Sequence, residues 1–78
     1  MAKLLLLGPA REAAQRKTDE FEELTVGAVL DAARQRYGPQ FEAILDTSNI
    51  WLNGDEVSLS QGVGPDDEIA VLPPVSGG

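Results

Sequence analysis

The sequence contains no cysteine and no histidine. Without cysteine there are no disulfides or thiolate nucleophiles, and without histidine the most common general base is missing. An ordinary zinc site is excluded for the same reason, since it depends on these two residue types. The remaining reactive side chains are carboxylates, two lysines, four arginines and a few hydroxyls. We therefore expect a protein that does not work through a side-chain active site.

Basic residues are scarce: six lysines and arginines face thirteen aspartates and glutamates, and the formal net charge is −7. Phosphate binding needs clustered Lys and Arg, so we expect no nucleic-acid partner. Long apolar runs are lacking too. Leu4–Leu7 is far shorter than the roughly 20 residues of a membrane span, and no signal-peptide pattern follows it. With 78 residues, the sequence predicts one small cytoplasmic domain that does not enter a membrane.

Strands are predicted near both ends of the sequence. Lys3–Leu7 ends at Gly8, and Pro9 suits the first turn of a short helix over residues 10–14. Glu68–Leu72 ends at two prolines, which have no N–H group and cannot extend the hydrogen-bond ladder. Because strand side chains alternate, Leu4 and Leu6 share the inner face of the first strand.

The middle of the sequence predicts an edge strand, a long helix and a hairpin. Residues 17–24 are polar apart from Phe21 and Leu24, and Phe21 would be the main anchor of the strand. Thr25 is a good N-cap, and the helix it begins carries one apolar stripe of Val26, Val29, Leu30, Ala33 and Tyr37. Residues 41–45 offer apolar contacts on a short helical turn. Asn53-Gly54 lies between apolar runs and is a strong hairpin signal.

These elements predict an α+β fold of the ubiquitin-like β-grasp type, with a mixed sheet packed on one main helix. The last strand would lie parallel to the first, after a right-handed crossover. We expect the domain to cover residues 1–72, followed by a flexible tail over residues 73–78. The predicted inner face consists of Leu4, Leu6, Phe21, Val29, Leu30, Ala33, Leu52, Ile69 and Val71.

The predicted tail has an unusual composition. Pro73-Pro74 favours a stiff, extended exit from the sheet, and Val75-Ser76 leads to Gly77-Gly78, which tolerates almost any backbone angle. A tip without side chains can enter a narrow tunnel and present its carboxylate there. A frayed terminus is the alternative.

The outer face of the predicted sheet is also unusual. By alternation, Leu5 and Leu7 share it with Ala70 and Leu72, and little of this short chain remains to cover them. An exposed apolar patch of this kind predicts a partner interface. The alternative is that loops, or the side chains of Trp51 and Val63, shield the patch. Trp51 is placed outward by the same alternation, and the sequence leaves open whether it is an interface or a core residue.

The sequence resembles the molybdopterin synthase small subunits, the MoaD-type sulfur carriers of the MoaD/ThiS ubiquitin-like family. The resemblance covers the whole chain: the Lys3–Gly8 strand with Ala10-Arg11-Glu12 after it, Thr25-Val26-Gly27, Leu52-Asn53-Gly54, and Asp67–Leu72 followed by Pro-Pro-Val-Ser-Gly-Gly. It departs from the family near Gln15, where a glycine is frequent, and near Val71 and Leu72, where aromatic residues are frequent.

The resemblance implies a carrier that is not an enzyme on its own and that binds no cofactor. A MoeB-type, ubiquitin-activating-like adenylyltransferase would use ATP to adenylate the Gly78 carboxylate, and sulfur would then replace AMP to give a thiocarboxylate. Residues 73–77 would thread the tail into partner pockets. The MoaE-type large subunit would pass the sulfur to cyclic pyranopterin monophosphate in a hetero-oligomer.

Several alternatives stay open at this point. The chain could carry sulfur for thiazole or cysteine synthesis, could be a protein modifier conjugated through Gly78, or could be an interaction module with an inert tail. Asp66, Asp67 and Glu68 match no calcium loop and are expected to be solvated rather than to bind a metal. The role of Arg11 is not decided by the sequence.

Overall fold

The computed structural model describes residues 1–74, so the predictions for Val75, Ser76, Gly77 and Gly78 lie outside the described residues. The elements in chain order are β1 (Ala2–Leu6), α1 (Pro9–Ala14), β2 (Thr18–Phe21), α2 (Val26–Tyr37), α3 (Pro39–Leu45), β3 (Asn49–Leu52), β4 (Asp55–Glu56) and β5 (Glu68–Leu72).

The strands form one five-stranded mixed sheet in the order β2-β1-β5-β3-β4. β1 and β5 pair in parallel at its centre, and β1–β2, β3–β5 and β3–β4 pair antiparallel. The parallel pairing of the first and last strands and the Asn53-Gly54 hairpin are both confirmed. Asn53 and Gly54 have positive φ values of 51° and 91°, as a tight hairpin turn requires. This is the predicted β-grasp arrangement.

The structure differs from the sequence prediction at several points. β2 ends at Phe21 rather than near residue 24, because the chain turns there to reach the N-cap of α2. Residues 39–45 form a full helix rather than the predicted short helical turn over residues 41–45, whereas the predicted short helix after Pro9 is present as α1. Val63 is buried in the core and therefore does not shield the outer face of the sheet.

All three helices pack on one face of the sheet. Leu4 and Leu6 of β1 share a single buried cluster with Ala10 of α1, the stripe of α2 and the apolar side chains of α3. The buried members are Ala2, Leu4, Leu6, Ala10, Phe21, Val26, Val29, Leu30, Ala33, Phe41, Leu45, Val63, Ile69 and Val71. Leu52, which was predicted on the inner face, packs against this cluster but is only partly buried. Each large side chain in the cluster contributes about 2 kcal/mol of burial free energy.

The loop between β4 and β5 closes the beginning of α2. The Thr25 hydroxyl accepts a hydrogen bond from the Ala28 N–H at 3.1 Å, which confirms the predicted N-cap. The N–H groups of Val26 and Gly27 donate to the carbonyl oxygens of Gln61 (2.9 Å) and Leu59 (2.8 Å). A Cβ atom at Gly27 would lie 3.1 Å from the Leu59 oxygen, so the absence of a side chain lets the loop approach this closely.

A charged cluster joins β2 to the end of α2. The Asp19 carboxylate accepts hydrogen bonds from Arg16 Nη1 (2.8 Å), Arg36 Nη1 (2.8 Å) and Tyr37 Oη (2.5 Å), and its side chain is only 12% exposed. Burial alone would raise the pKa of Asp19, but hydrogen bonds from Tyr37, Arg36 and the Glu20 N–H hold it well below its ordinary value. Burial and the bond to Asp19 raise the pKa of Tyr37 to about 12.

We predict that Asp19→Asn lowers the free energy of unfolding at pH 7 by about 1–2 kcal/mol, because charge-assisted hydrogen bonds are lost. A carboxylate with a depressed folded pKa stabilises the protein above its ordinary pKa of about 4 and loses this contribution as the pH falls further. The difference between wild type and variant should therefore shrink below about pH 4. Urea unfolding at pH 7 and pH 3 measures this difference in the free energy of unfolding.

Asp31→Asn is the matched control, since Asp31 pairs with Arg34 but is 70% exposed. We expect this variant to stay within about 0.5 kcal/mol of wild type at both pH values. Equal losses for the two variants would show that the Asp19 cluster has no special role in stability.

Candidate functional site

The candidate site begins where β5 leaves the sheet. β5 lies between β1 and β3, with Leu72 opposite Asn49, and the Leu7 N–H donates to the Val71 carbonyl at 3.1 Å. The strand ends at Leu72, as predicted, and Pro73 and Pro74 are exposed to solvent. The base of the tail therefore emerges from the centre of the sheet rather than from an edge.

Gly8 receives the first residue of the tail. Its backbone has φ 58° and ψ −132°, a combination that residues with a side chain rarely adopt. A Cβ built on Gly8 would lie 3.4–3.7 Å from the Pro73 ring carbons. The ring thus packs directly over the turn between β1 and α1. Because proline also restricts φ, this contact sets the direction in which the chain leaves the sheet.

From the sequence, Gly8 was predicted only to end a strand, and its contact with Pro73 was not predicted. The available signal was a Gly-Pro pair after the first strand together with a Pro-Pro pair after its predicted parallel neighbour.

Leu5, Leu7, Ala70 and Leu72 are half-buried, and alternation places them on the face opposite the core. Ala70 pairs with Leu5 on one side and with Trp51 on the other. We call the set of Leu5, Leu7, Trp51, Ala70 and Leu72 the outer apolar face. Trp51 is 38% exposed and absent from the core cluster. All three helices of the described chain pack on the other side, so the outer face has no helix over it.

The outer apolar face has charged neighbours. Lys3 pairs with Glu68 in the parallel ladder and with Glu20 in the antiparallel one, and Glu56 lies opposite Trp51. An apolar centre with a polar border is the usual arrangement of a protein interface. The patch is continuous with the tail exit through Leu7 and Leu72, which immediately precede Gly8 and Pro73.

Three basic residues lie beside the tail exit. Arg11, Arg16 and Lys17 line a shallow groove together with Gly8, Pro9, Glu12 and Gln15. Gln15 ends α1 in the left-handed conformation, with φ 60°, and this explains why a glycine suits the position in similar sequences. The groove places Arg11 near the base of the tail, whereas the sequence left its location open.

Asp67, one of the three consecutive acidic residues, has a structural role. Its carboxylate accepts hydrogen bonds from the Gly64 N–H (2.7 Å) and from Asn53 Nδ2 (2.9 Å). These two bonds lower the pKa of Asp67 below its ordinary value. The Asn53 Oδ1 atom in turn accepts from the Glu68 N–H at 2.9 Å. Asp67 therefore ties the hairpin turn to the start of β5.

Within residues 1–74, no helix has the length and apolar character needed to cross a membrane.

Comparison with known families gives a match over residues 4–78 to the model of the ThiS family. The chain belongs to the ThiS family. Members of the ThiS/MoaD group are ubiquitin-like sulfur carriers. The resemblance seen in the sequence and the β-grasp fold are both confirmed by this assignment and by the solved structures that match the chain.

Three solved structures illustrate the range of relatives. SAMP1 from Haloferax volcanii is 31% identical with a TM-score of 0.80, and the match covers 99% of this chain and 98% of that one. The CysO chain of the BexX/CysO complex from Amycolatopsis orientalis gives 20% identity, a TM-score of 0.81 and 100% coverage of both chains. A chain from the complex of molybdopterin-converting factor subunits 1 and 2 of Helicobacter pylori is 23% identical, with a TM-score of 0.72. The match covers 99% of this chain and 97% of that one.

The last two similarities lie below 25% identity and show the fold alone; both of those structures are complexes with a partner protein. No curated protein matches the chain significantly. Together, the comparisons establish a ThiS-family carrier with the β-grasp fold and do not single out one pathway.

We predict that Gly8→Val displaces Pro73, because the added side chain would occupy the space of the proline ring. The expected result is loss of the nuclear Overhauser contacts between residue 8 and the Pro73 ring, with shifted Leu72 amide resonances. Gly54→Val is the control, since Gly54 also has a positive φ but nothing lies within 4 Å of its Cβ position. Both variants should lose about 1–2 kcal/mol of stability from backbone strain. Unchanged Pro73 contacts in Gly8→Val would contradict the proposed seating of the tail.

Proposed function

We propose that this ThiS-family chain is the sulfur-carrying subunit of molybdopterin synthase and is not catalytic on its own. The observation that carries the proposal is the position of the tail: β5 ends in the centre of the sheet, Pro73 packs on Gly8, and the remaining residues Val75–Gly78 follow a fixed base. The absence of cysteine and histidine from the sequence supports a mechanism in which the reacting group is a backbone carboxylate.

The proposed chemistry begins at the carboxylate of Gly78. Its oxygen attacks the α-phosphorus of ATP in a MoeB-type adenylyltransferase and releases pyrophosphate, which leaves an acyl-adenylate. The terminal sulfur of a persulfide donor then attacks the carbonyl carbon and AMP leaves, which gives an acyl disulfide. A thiol next attacks the donor's sulfur atom of that S–S bond, so that a disulfide forms between thiol and donor and the thiocarboxylate is released. A MoaE-type large subunit transfers this sulfur to cyclic pyranopterin monophosphate to form the dithiolene of molybdopterin. ATP is the enzyme's substrate, and we propose no cofactor bound to the carrier.

In this proposal the domain positions the reactive end and its partners supply the bases, cations and pocket walls. Pro73 and Pro74 direct the tail, and Val75, Ser76 and Gly77 pass through the partner's channel. Four residues beyond Pro74 span at most about 14 Å, so a partner must bind close to the tail exit. The outer apolar face, which is continuous with that exit, is the surface we propose for both partners. We propose a cytoplasmic location and a hetero-oligomeric assembly.

A protein modifier conjugated through Gly78 is the second candidate, and one observation favours it: among the three relatives described above, SAMP1 from Haloferax volcanii has the highest identity, 31%. Small archaeal modifier protein 1 (SAMP1) from Methanosarcina acetivorans is 27% identical to this chain. Acyl-adenylate formation is common to both candidates, since a lysine amine, like sulfur, can attack the activated carbonyl and displace AMP. A role in thiazole or cysteine synthesis would also share this first step.

Intact-protein mass spectrometry tests the carrier proposal. The full chain is incubated with an adenylyltransferase, ATP and a persulfide donor, and we expect a mass gain that matches exchange of one oxygen for one sulfur at Gly78. Transfer to cyclic pyranopterin monophosphate in the presence of the large subunit then assigns the pathway. Isopeptide-linked conjugates without the sulfur-bearing form would favour the modifier. Neither a sulfur gain nor conjugates, with an activating enzyme shown to be active, would refute both.

We predict that Gly77→Val strongly reduces sulfur loading, by about 100-fold or more if entry into the channel is blocked. The change should leave the thermal unfolding temperature unaltered, because the core cluster ends at Val71. Ser76→Val introduces the same side chain one residue earlier and is the comparison for position dependence. Normal loading of the Gly77 variant would overturn the role given to the slender tip.

We predict that Leu72→Lys weakens binding of the large subunit about tenfold or more, since a charge would be placed within the outer apolar face. Leu59→Lys is the control, because Leu59 is 57% exposed and belongs to the loop that packs on Gly27 rather than to the outer face. Isothermal titration of the purified subunits measures both. Equal affinities of the two variants would remove the outer face from the proposed interface.

A further inference from the structure

The sheet has two edges, and they differ in how they are protected. β4 is only two residues long, and both are exposed carboxylates, Asp55 and Glu56. A short, charged edge strand is a poor template for pairing with another chain. β2 has four residues, Thr18–Phe21, and is long enough to accept a further strand. Its protection must come from another source.

Hydrogen bonds within the sheet show which backbone groups of β2 point away from it. The Lys3 N–H donates to Asp67 on the β5 side, whereas the Leu6 N–H donates to Lys17 on the β2 side. The backbone N–H and C=O groups of successive residues in a strand point to opposite sides. Those of Ala2 and Leu4 therefore also point towards β2. The backbone groups of their partners Phe21 and Asp19 point towards β1. The backbone groups of β2 that point away from the sheet, called outward groups below, belong to Thr18 and Glu20.

Side chains of the Asp19 cluster occupy both outward groups of Glu20. The Glu20 N–H donates to Asp19 Oδ1 at 2.8 Å, and the Glu20 carbonyl accepts from Arg36 Nη1 at 3.3 Å. Arg36 is held in place by Asp19 at 2.8 Å and by the ring of Phe21, whose centroid lies 4.1 Å from the guanidinium carbon. One ion pair thus fills the hydrogen-bonding positions in the middle of the edge.

We propose that Asp19 and Arg36 cap the free edge of β2, and that removal of this cap turns the edge into a homodimer interface in which β2 pairs antiparallel with β2 of a second copy. The occupant is a second copy because the same strand supplies matching outward groups, and antiparallel pairing of identical strands closes as a two-fold dimer. This inference concerns the sheet edge and does not rest on the proposed function.

Once Asp19 is removed, electrostatics favour one register of such a pair. A register centred on Glu20 would place two Glu20 side chains opposite each other, which is unfavourable. The next register that aligns outward groups pairs Thr18 of one copy with Glu20 of the other and places both Asp19 residues on the two-fold axis. Asp19 therefore opposes pairing in three ways: it occupies the Glu20 N–H, holds Arg36 on the Glu20 carbonyl, and repels its counterpart at the axis.

The test removes the cap without changing the net charge. In the double variant Asp19→Thr/Arg36→Ala, threonine preserves strand preference and both members of the ion pair are lost. The matched control is Asp31→Thr/Arg34→Ala, which removes a second Asp–Arg pair that is away from the edge. Sedimentation equilibrium of the full chain gives the mass, and amide hydrogen exchange followed by NMR reports protection at Thr18 and Glu20.

We call Asp19→Thr/Arg36→Ala the capless variant. Its mass should approach twice that of the monomer at concentrations where wild type and control stay monomeric. Protection of the Thr18 and Glu20 amides should rise with concentration only in that variant. A folded capless variant that stays monomeric, or that dimerises without protection at these amides, would overturn the proposal.

Arg36→Ala alone provides a second test if the double variant does not fold. It frees the Glu20 carbonyl while Arg16 and Tyr37 still bind Asp19, and it should give weaker but measurable dimerisation with the same pattern of protection. A monomeric Arg36→Ala protein whose Glu20 carbonyl is confirmed to be free of side-chain contacts would count against the cap.

Discussion

The parallel pairing of β1 and β5 is the constraint on which the rest of the structure depends. Parallel neighbours cannot be joined by a tight turn, so everything between Leu7 and Asp67 must cross the sheet and return. That crossover contains all three helices and the hairpin, and it builds the core on one side. The C-terminal ends of neighbouring parallel strands also lie next to each other. The turn at Gly8 and the exit at Pro73 are therefore brought together by topology, although 64 residues separate them in the chain.

Local patterns in the sequence were sufficient to predict most elements. The stripe from Val26 to Tyr37 repeats with the helical period, Thr25 has the side chain an N-cap needs, and Asn53-Gly54 is a short-range turn signal. Contacts between distant residues could not be predicted in this way. The packing of Pro73 on Gly8, the burial of Val63 and the convergence of Arg16, Arg36 and Tyr37 on Asp19 all depend on the assembled sheet. For the tail, composition predicted a slender tip and the family resemblance implied its chemistry, whereas the position of its base became visible only in the fold.

Placing the reactive group on the backbone imposes different demands from those of a side-chain active site. An enzyme must hold several groups in fixed mutual geometry, whereas a carrier must present one end to more than one partner. The rigid part can then stop at Pro73, where the Gly8 contact fixes direction, and the chain beyond it needs only length and slenderness. Under the proposed function, a common docking surface next to the exit, the outer apolar face, would let successive partners receive the same tail.

A sheet with one face not covered by helices also risks unwanted association along its edges. Covering the edges with helices would be one solution, but here all the helices of the described chain are needed on the core side. The two edge strands are instead protected against pairing by local features. β4 is short and charged, and β2 is capped by the Asp19–Arg36 pair. Because Asp19 also binds Tyr37 at the end of α2, the same carboxylate links the edge strand to the main helix. Stability and resistance to strand pairing thus depend on one residue, and a change at Asp19 affects both together.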